Sequence, residues 1–182
     1  MALKSLSKLD APKNITNNEK ILSENDFIVS KTDTKGKIIY CNEIFAKMAG
    51  YSFSDLIGAN HNLIRHPEMP RITYKLLWDL IQAKDEFFGF VKNLCADGGY
   101  YWVLAYITAD LDQNGNIISY TSVRRKANPS AVTQIIPIYQ KLLDAERSGG
   151  TEASKKLLYD LLDEHNLGYR EFVINLQLGA KI

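Results

Sequence analysis

Two dipeptides, Asp97-Gly98 and Asn114-Gly115, constrain the fold of this chain more than any other feature. Each sits between runs rich in β-branched and aromatic residues, and each supplies the positive φ angles that a tight hairpin needs. Phe87 to Leu94, Tyr100 to Leu111 and Ile117 to Arg125 therefore read as three consecutive antiparallel strands. Upstream, Phe27 to Thr32 and Ile38 to Tyr40 flank the turn Asp33-Thr34-Lys35-Gly36 and form another hairpin. Between the two strand groups the pattern turns helical. Asn42 is placed to cap Glu43 to Ala49, which Gly50 ends. Ser54 caps a short turn through Ile57, and Arg71 to Ala83 puts Ile72, Leu76, Leu77, Leu80 and Ile81 on one face. The expected class is α+β: a five-stranded antiparallel sheet with short helices on one face, followed by further helices.

The texture changes twice along the 182 residues. Residues 1–25 are polar and read as an N-terminal arm, 26–128 as the folded sensor-sized domain, and 129–182 as a helical C-terminal extension. In the extension Val132, Ile135, Ile136, Tyr139, Leu142 and Leu143 recur at helical spacing; Gly149-Gly150 breaks the pattern, and Thr151 caps the next helix. The Leu157, Leu158, Leu161, Leu162 stripe fits two readings, folding back on the domain or offering a surface to a partner.

A hydrophobic content of 46% is enough to fill a core, and 22 Lys+Arg against 21 Asp+Glu leave a formal charge of +1. No global charge draws the chain to nucleic acid. Met1 to Ser5 has no apolar signal core, and no run approaches the ~20 apolar residues of a membrane span. Cys41 and Cys95 lie far apart without metal-ligand spacing, which implies reduced thiols, no metal site and a cytoplasmic setting.

No nucleophile elbow, P-loop or dinucleotide glycine pattern is present, and the carboxylates are scattered, so an enzyme is not expected. The dense cluster is His61-Asn62-Leu63-Ile64-Arg65-His66-Pro67-Glu68-Met69-Pro70. Arg beside His suits an anionic ligand; an ion-paired turn stiffened by two prolines fits equally. Period-2 alternation puts Phe87, Val91 and Asn93 on one face of their strand, and Phe88, Phe90 and Leu94 on the other. Both faces are apolar, so both need covering. Asn93 is the odd residue, an amide facing the helices, where it must find a hydrogen bond from backbone or from a planar polar ligand.

From Asp26 to Asn128 these motifs resemble a PAS domain, and specifically the FAD-binding PAS domain of aerotaxis receptors. The His61-Asn62-x-x-Arg65-His66-Pro67-x-Met69-Pro70 run is specific to that branch; Gly50-Tyr51 and Asp97-Gly98 alone mark only the wider family, and Ser122-Val123-Arg124 is a further marker of the resemblance. The resemblance implies FAD between sheet and helices, held by Asn42, Arg65, His66, Glu68, Trp78, Phe87, Asn93 and Arg124. Glu68 stands where that branch usually has Asp, and Phe87 where it often has Trp.

Light-oxygen-voltage domains, also flavin-binding PAS domains, need a cysteine in the loop corresponding to residues 59–66. None occurs there, so no cysteinyl adduct is expected. The resemblance further implies a non-catalytic redox sensor of energy taxis, passing a change from Asn93 through the sheet to Trp102 and Tyr106. Its partner would be a membrane-bound chemoreceptor, with a homodimer through the outer sheet face as a second assembly. Two alternatives stand: a haem sensor ligated by His61 or His66, and a cofactor-free interaction module.

Overall fold

The computed structural model describes residues 6–181; the reading of Met1 to Ser5 falls outside them. β1 (Ile28–Thr32) and β2 (Ile38–Cys41) form the first hairpin. α1 (Glu43–Ala49), α2 (Phe53–Leu56), a 3₁₀ turn (His61–Ile64) and α3 (Arg71–Gln82) follow. β3 (Phe87–Leu94), β4 (Tyr100–Leu111) and β5 (Ile117–Lys126) form the meander, and α4 (Pro129–Glu164) and α5 (Tyr169–Gln177) complete the chain. The five strands form one sheet in the order β2-β1-β5-β4-β3, antiparallel throughout. β5 in the middle closes the sheet by pairing with β1, Ser122 opposite Ser30.

The local signals act as expected. Gly98 and Gly115 adopt φ of 85° and 79° in the two hairpin turns. The Asn42 carboxamide caps α1 by accepting from Phe45 N at 3.1 Å, and Gly50 ends that helix in the left-handed region. One cap differs. Ser52, not Ser54, starts α2, because Asp55 three residues on accepts from the Ser52 backbone N and completes a capping box. Within α4 the expected break is present: Gly149 and Gly150 leave helical φ/ψ, and two helical segments meet there at a kink.

The inner sheet face carries α1 and α3. The outer face, which alternation makes apolar, is covered in part by the C-terminal helices. Tyr139 of α4 sets its ring 6.2 Å from Trp102 and donates its hydroxyl to the Phe90 carbonyl at 2.7 Å. α5 packs on β3, burying Phe172, Val173 and Leu176. Glu146 of α4 accepts from Ile72 N at 2.9 Å, supplying the start of α3 with the side-chain cap that Pro70 cannot give. The folding-back reading of the tail is therefore met. No helix among the described residues is long and apolar enough to cross a membrane.

The arm is held at the β3–β4 turn. Thr16 N donates to the Gly98 carbonyl and Lys20 N to the Tyr100 carbonyl, while Lys20 pairs with Asp97 at 2.8 Å. The approach is so close that a Cβ on Gly98 would lie 2.1 Å from the Asn14 carbonyl oxygen. Gly98→Ala is expected to cost about 2–4 kcal/mol, combining left-handed strain with this clash. A urea titration checks the cost. The arm should also loosen, so limited trypsin digestion should cut after exposed Lys13 faster than in the unaltered chain.

Candidate functional site

A cavity of about 340 Å³ lies between the inner sheet face and α3, within the ~300–1,000 Å³ range of small-molecule sites. Its floor is Val91, Ala105 and Ile107 of the sheet; Tyr74, Leu77, Trp78 and Ile81 of α3 form its roof. At one end Lys35, Asn60 and Asn62 line it, where the His61 backbone N bonds the Gly36 carbonyl at 2.9 Å and ties the β1–β2 turn to the 3₁₀ turn. Trp78 stands edge-on to Tyr120 at 5.4 Å.

Two polar side chains in the wall are almost fully buried. Asn93 is 3% exposed, and its Nδ2 has no acceptor. Its place follows from the β3 alternation and from a backbone bridge to Arg65 that aligns the proline-stiffened segment beside the edge strand. Arg124 is 2% exposed. Its Nε donates to Ser122 Oγ at 2.9 Å, and its Nη2 to Ser30 Oγ and to His61 Nε2, the latter at 2.8 Å. Its Nη1 finds no acceptor of good geometry, although the Tyr101 hydroxyl lies beside the guanidinium. Among the described residues no carboxylate pairs with Arg124.

Burial, and then the neighbouring Arg124 charge, lower the His61 pKa to about 3. The ring is therefore neutral at pH 7. Because Nε2 accepts from Arg124, the proton sits on Nδ1. His61 also stacks on Phe45 at 5.7 Å, while Arg124 lies over the same Phe45 ring at 4.9 Å. Tyr74, held over Arg65 at 4.1 Å, has its phenol pushed up to about 12 by burial.

Of the eight residues singled out from the sequence, Arg65, Trp78, Asn93 and Arg124 come together around the cavity. The other four do not line it. Asn42 spends its carboxamide on the backbone, accepting from Val29 N and Phe45 N and donating to the Phe27 carbonyl. His66 is buried against Tyr100, with Nδ1 accepting from Glu68 N; burial, and then the Lys92 charge, lower its pKa to about 4. Glu68 pairs with Lys92 at 2.6 Å on the exposed side. Phe87 stacks on Tyr169 at 6.0 Å beneath the end of α3. His61, singled out in the dense cluster and as a haem ligand, also reaches the cavity, as do Ser30, Tyr74 and Ser122, which were missed. Alternation along β1 and β5 could have found Ser30 and Ser122. No grouping of three or more metal-ligating side chains occurs among the described residues.

Comparison with known proteins agrees with this architecture. Residues 38–124 match the family described as PAS fold. The chain is 31% identical over 134 residues to the aerotaxis receptor of Escherichia coli (strain K12), covering 74% of this chain and 26% of the receptor. It is 31% identical over 102 residues to the nitrogen fixation regulatory protein of Klebsiella oxytoca, covering 56% of this chain and 21% of that protein. The matches thus span about a quarter or less of these relatives. Among solved structures, a light-oxygen-voltage domain studied with a flavin analogue superposes with a TM-score of 0.54 at 21% identity, covering 63% of this chain and 86% of the domain. The light state of the blue-light photoreceptor Aureochrome1 LOV superposes with a TM-score of 0.54, also at 21% identity, covering 65% of this chain and 93% of that one. These two likenesses concern the fold.

Proposed function

We propose that this PAS-fold chain is an FAD-containing redox sensor that signals to a chemoreceptor-type partner in energy taxis. One observation carries the reading: two buried donors, Asn93 Nδ2 and Arg124 Nη1, stand without matching acceptors in a cavity lined by no carboxylate among the described residues. An unmatched buried donor costs about 1–3 kcal/mol, more when charged, so the wall favours a ligand that brings acceptors. A flavin ring fits that demand, being flat and apolar across its middle, with carbonyl oxygens and ring nitrogens along one edge. Val91, Ala105 and Leu77 would flank the ring, and Asn93 and Arg124 would meet its polar edge. Lys35 and Arg65, the other cations of the lining, would take the phosphates.

When bound, flavin supplies reversible electron uptake, and the protein supplies binding and electronics. Asn93 holds both an acceptor and donors, so turning its amide answers a ring nitrogen in either protonation state. A mismatch of 1.4 kcal/mol is about a tenfold population shift, enough for a signal. The aerotaxis receptor and LOV likenesses support a sensory flavin site. The haem alternative loses ground because His61 Nε2 is already held by Arg124, and His66 does not line the cavity. We take the chain to act without turnover and on the cytoplasmic side. Its partner surface is the open part of the outer sheet, around Phe27, Phe88, Tyr106 and Val123.

Extraction tests the reading. The purified chain should release FAD, one per chain, identified by chromatography after heat denaturation. Haem in the extract, or folded protein that carries no flavin and takes none up, overturns it.

A further inference from the structure

Among the described residues three cations line the cavity, Lys35, Arg65 and Arg124, and no Asp or Glu does. Lys35 is exposed and Arg65 half-buried, whereas Arg124 lies inside the protein. Every titratable group facing Arg124 among the described residues is neutral at pH 7. His61 from the 3₁₀ turn accepts from it, Tyr74 of α3 and Tyr101 of β4 are phenols pushed up by burial, and the Cys41 thiol of β2 is pushed up likewise. Ser30 and Ser122 offer only hydroxyls. An arginine does not escape its charge by losing a proton, so the positive charge stays in the wall uncompensated.

We propose that Arg124 makes this site a trap for negative charge, holding the reduced flavin ring as its mono-anion. The proposal rests on the flavin reading and adds the charge state of the reduced ring. Two electrons from an external low-potential donor and one proton convert the oxidised ring to the anion, whose charge spreads over ring nitrogen and carbonyl oxygens. A neutral reduced ring takes up a second proton, and a neighbouring guanidinium disfavours that step. Reduction in this cavity therefore couples one proton to each electron pair, and it strengthens the grip of Arg124 on the ligand. The paired outcome is a sensor whose reduced state is the more tightly held.

Redox titration of the FAD-loaded protein with dithionite tests this at several pH values. With one proton per two electrons the midpoint falls by ~30 mV per pH unit, and with two protons by ~60 mV. The unaltered chain should keep the shallower slope from about pH 8 down to about pH 5.5, where a reduced flavin in water has already regained its second proton. Arg124→Gln should steepen the slope below neutrality and lower the midpoint; Arg124→Lys should keep the slope of the unaltered chain. A readout free of cofactor accompanies it: ligand-free Arg124→Met should melt at a higher temperature than the ligand-free parent, since a buried unpaired charge is gone. A steep slope in the unaltered chain, or a Gln variant that keeps the shallow one, overturns the proposal while FAD binding stands. Failure of the unaltered chain to bind any flavin overturns the parent reading, and this one with it.

Discussion

Ala105→Trp should empty the protein of its cofactor while leaving the fold intact. Ala105 is 1% exposed, lies opposite Gly89 and Arg124 in the sheet, and forms part of the cavity floor. An indole there enters existing space, so the usual ~1–3 kcal/mol cost of overpacking a filled core is largely avoided. The same indole occupies the slot between sheet and α3 that a flat ring needs. Flavin content should drop at least tenfold, which corresponds to ~1.4 kcal/mol or more of lost binding energy. Thr108→Trp, on the opposite face of β4, is the control and should retain full content. Equal flavin content in both variants would place the ligand elsewhere.

Acid should unfold the protein earlier than its carboxylates alone require. His61 and His66 are held neutral in the fold, with pKa values lowered to about 3 and about 4 from 6.5. The unfolded chain therefore binds protons that the native state refuses. Stability is fully present above about pH 7, declines as pH falls through about 6.5, and keeps declining towards the native values. The slope is on the order of 1 kcal/mol per pH unit for each histidine that stays neutral. Carboxylates with lowered pKa, such as Glu68 and Asp110, add to the decline only below their usual values of 4.5 and 3.8. The window between about pH 6.5 and 4.5 therefore belongs to the histidines. His61→Gln, which keeps an acceptor for Arg124 but does not titrate, should roughly halve the slope there and leave the His66 share. Urea midpoints across that window measure both proteins, and a flat profile in the unaltered chain contradicts the account.

Much of the framework was legible in the residues. Asp97-Gly98 and Asn114-Gly115 marked the meander, Asn42 and Gly50 bounded α1, and period-2 alternation along β3 picked out Asn93 as an amide facing the helices. That amide is one of the two orphaned donors of the cavity. What stayed hidden depended on direction rather than on residue type. In the His61 to Pro70 segment no periodicity fixes where a side chain points, so Arg65, His66 and Glu68 looked equivalent. Of these three the fold sends Arg65 alone to the cavity; His66 packs on Tyr100, and Glu68 turns to Lys92. Asn42 shows how one residue serves two readings, for its helix-cap role consumes the hydrogen bonds that a ligand would need. The two apolar stripes of α4 announced burial but not what they bury against. Tyr139 on Trp102 is a tertiary choice that no local pattern encodes.

The central claim is that a flavin ring occupies the space between the inner sheet face and α3. Trp78 lines that space, whereas Trp102, the other tryptophan, lies on the outer face beneath Tyr139. In a Trp102→Phe background the indole emission comes from Trp78 alone. Titrating cofactor-free protein with FAD should quench that emission to a plateau reached at one FAD per chain. Trp78 emission that is unchanged while FAD binds, or an absence of binding, contradicts the account.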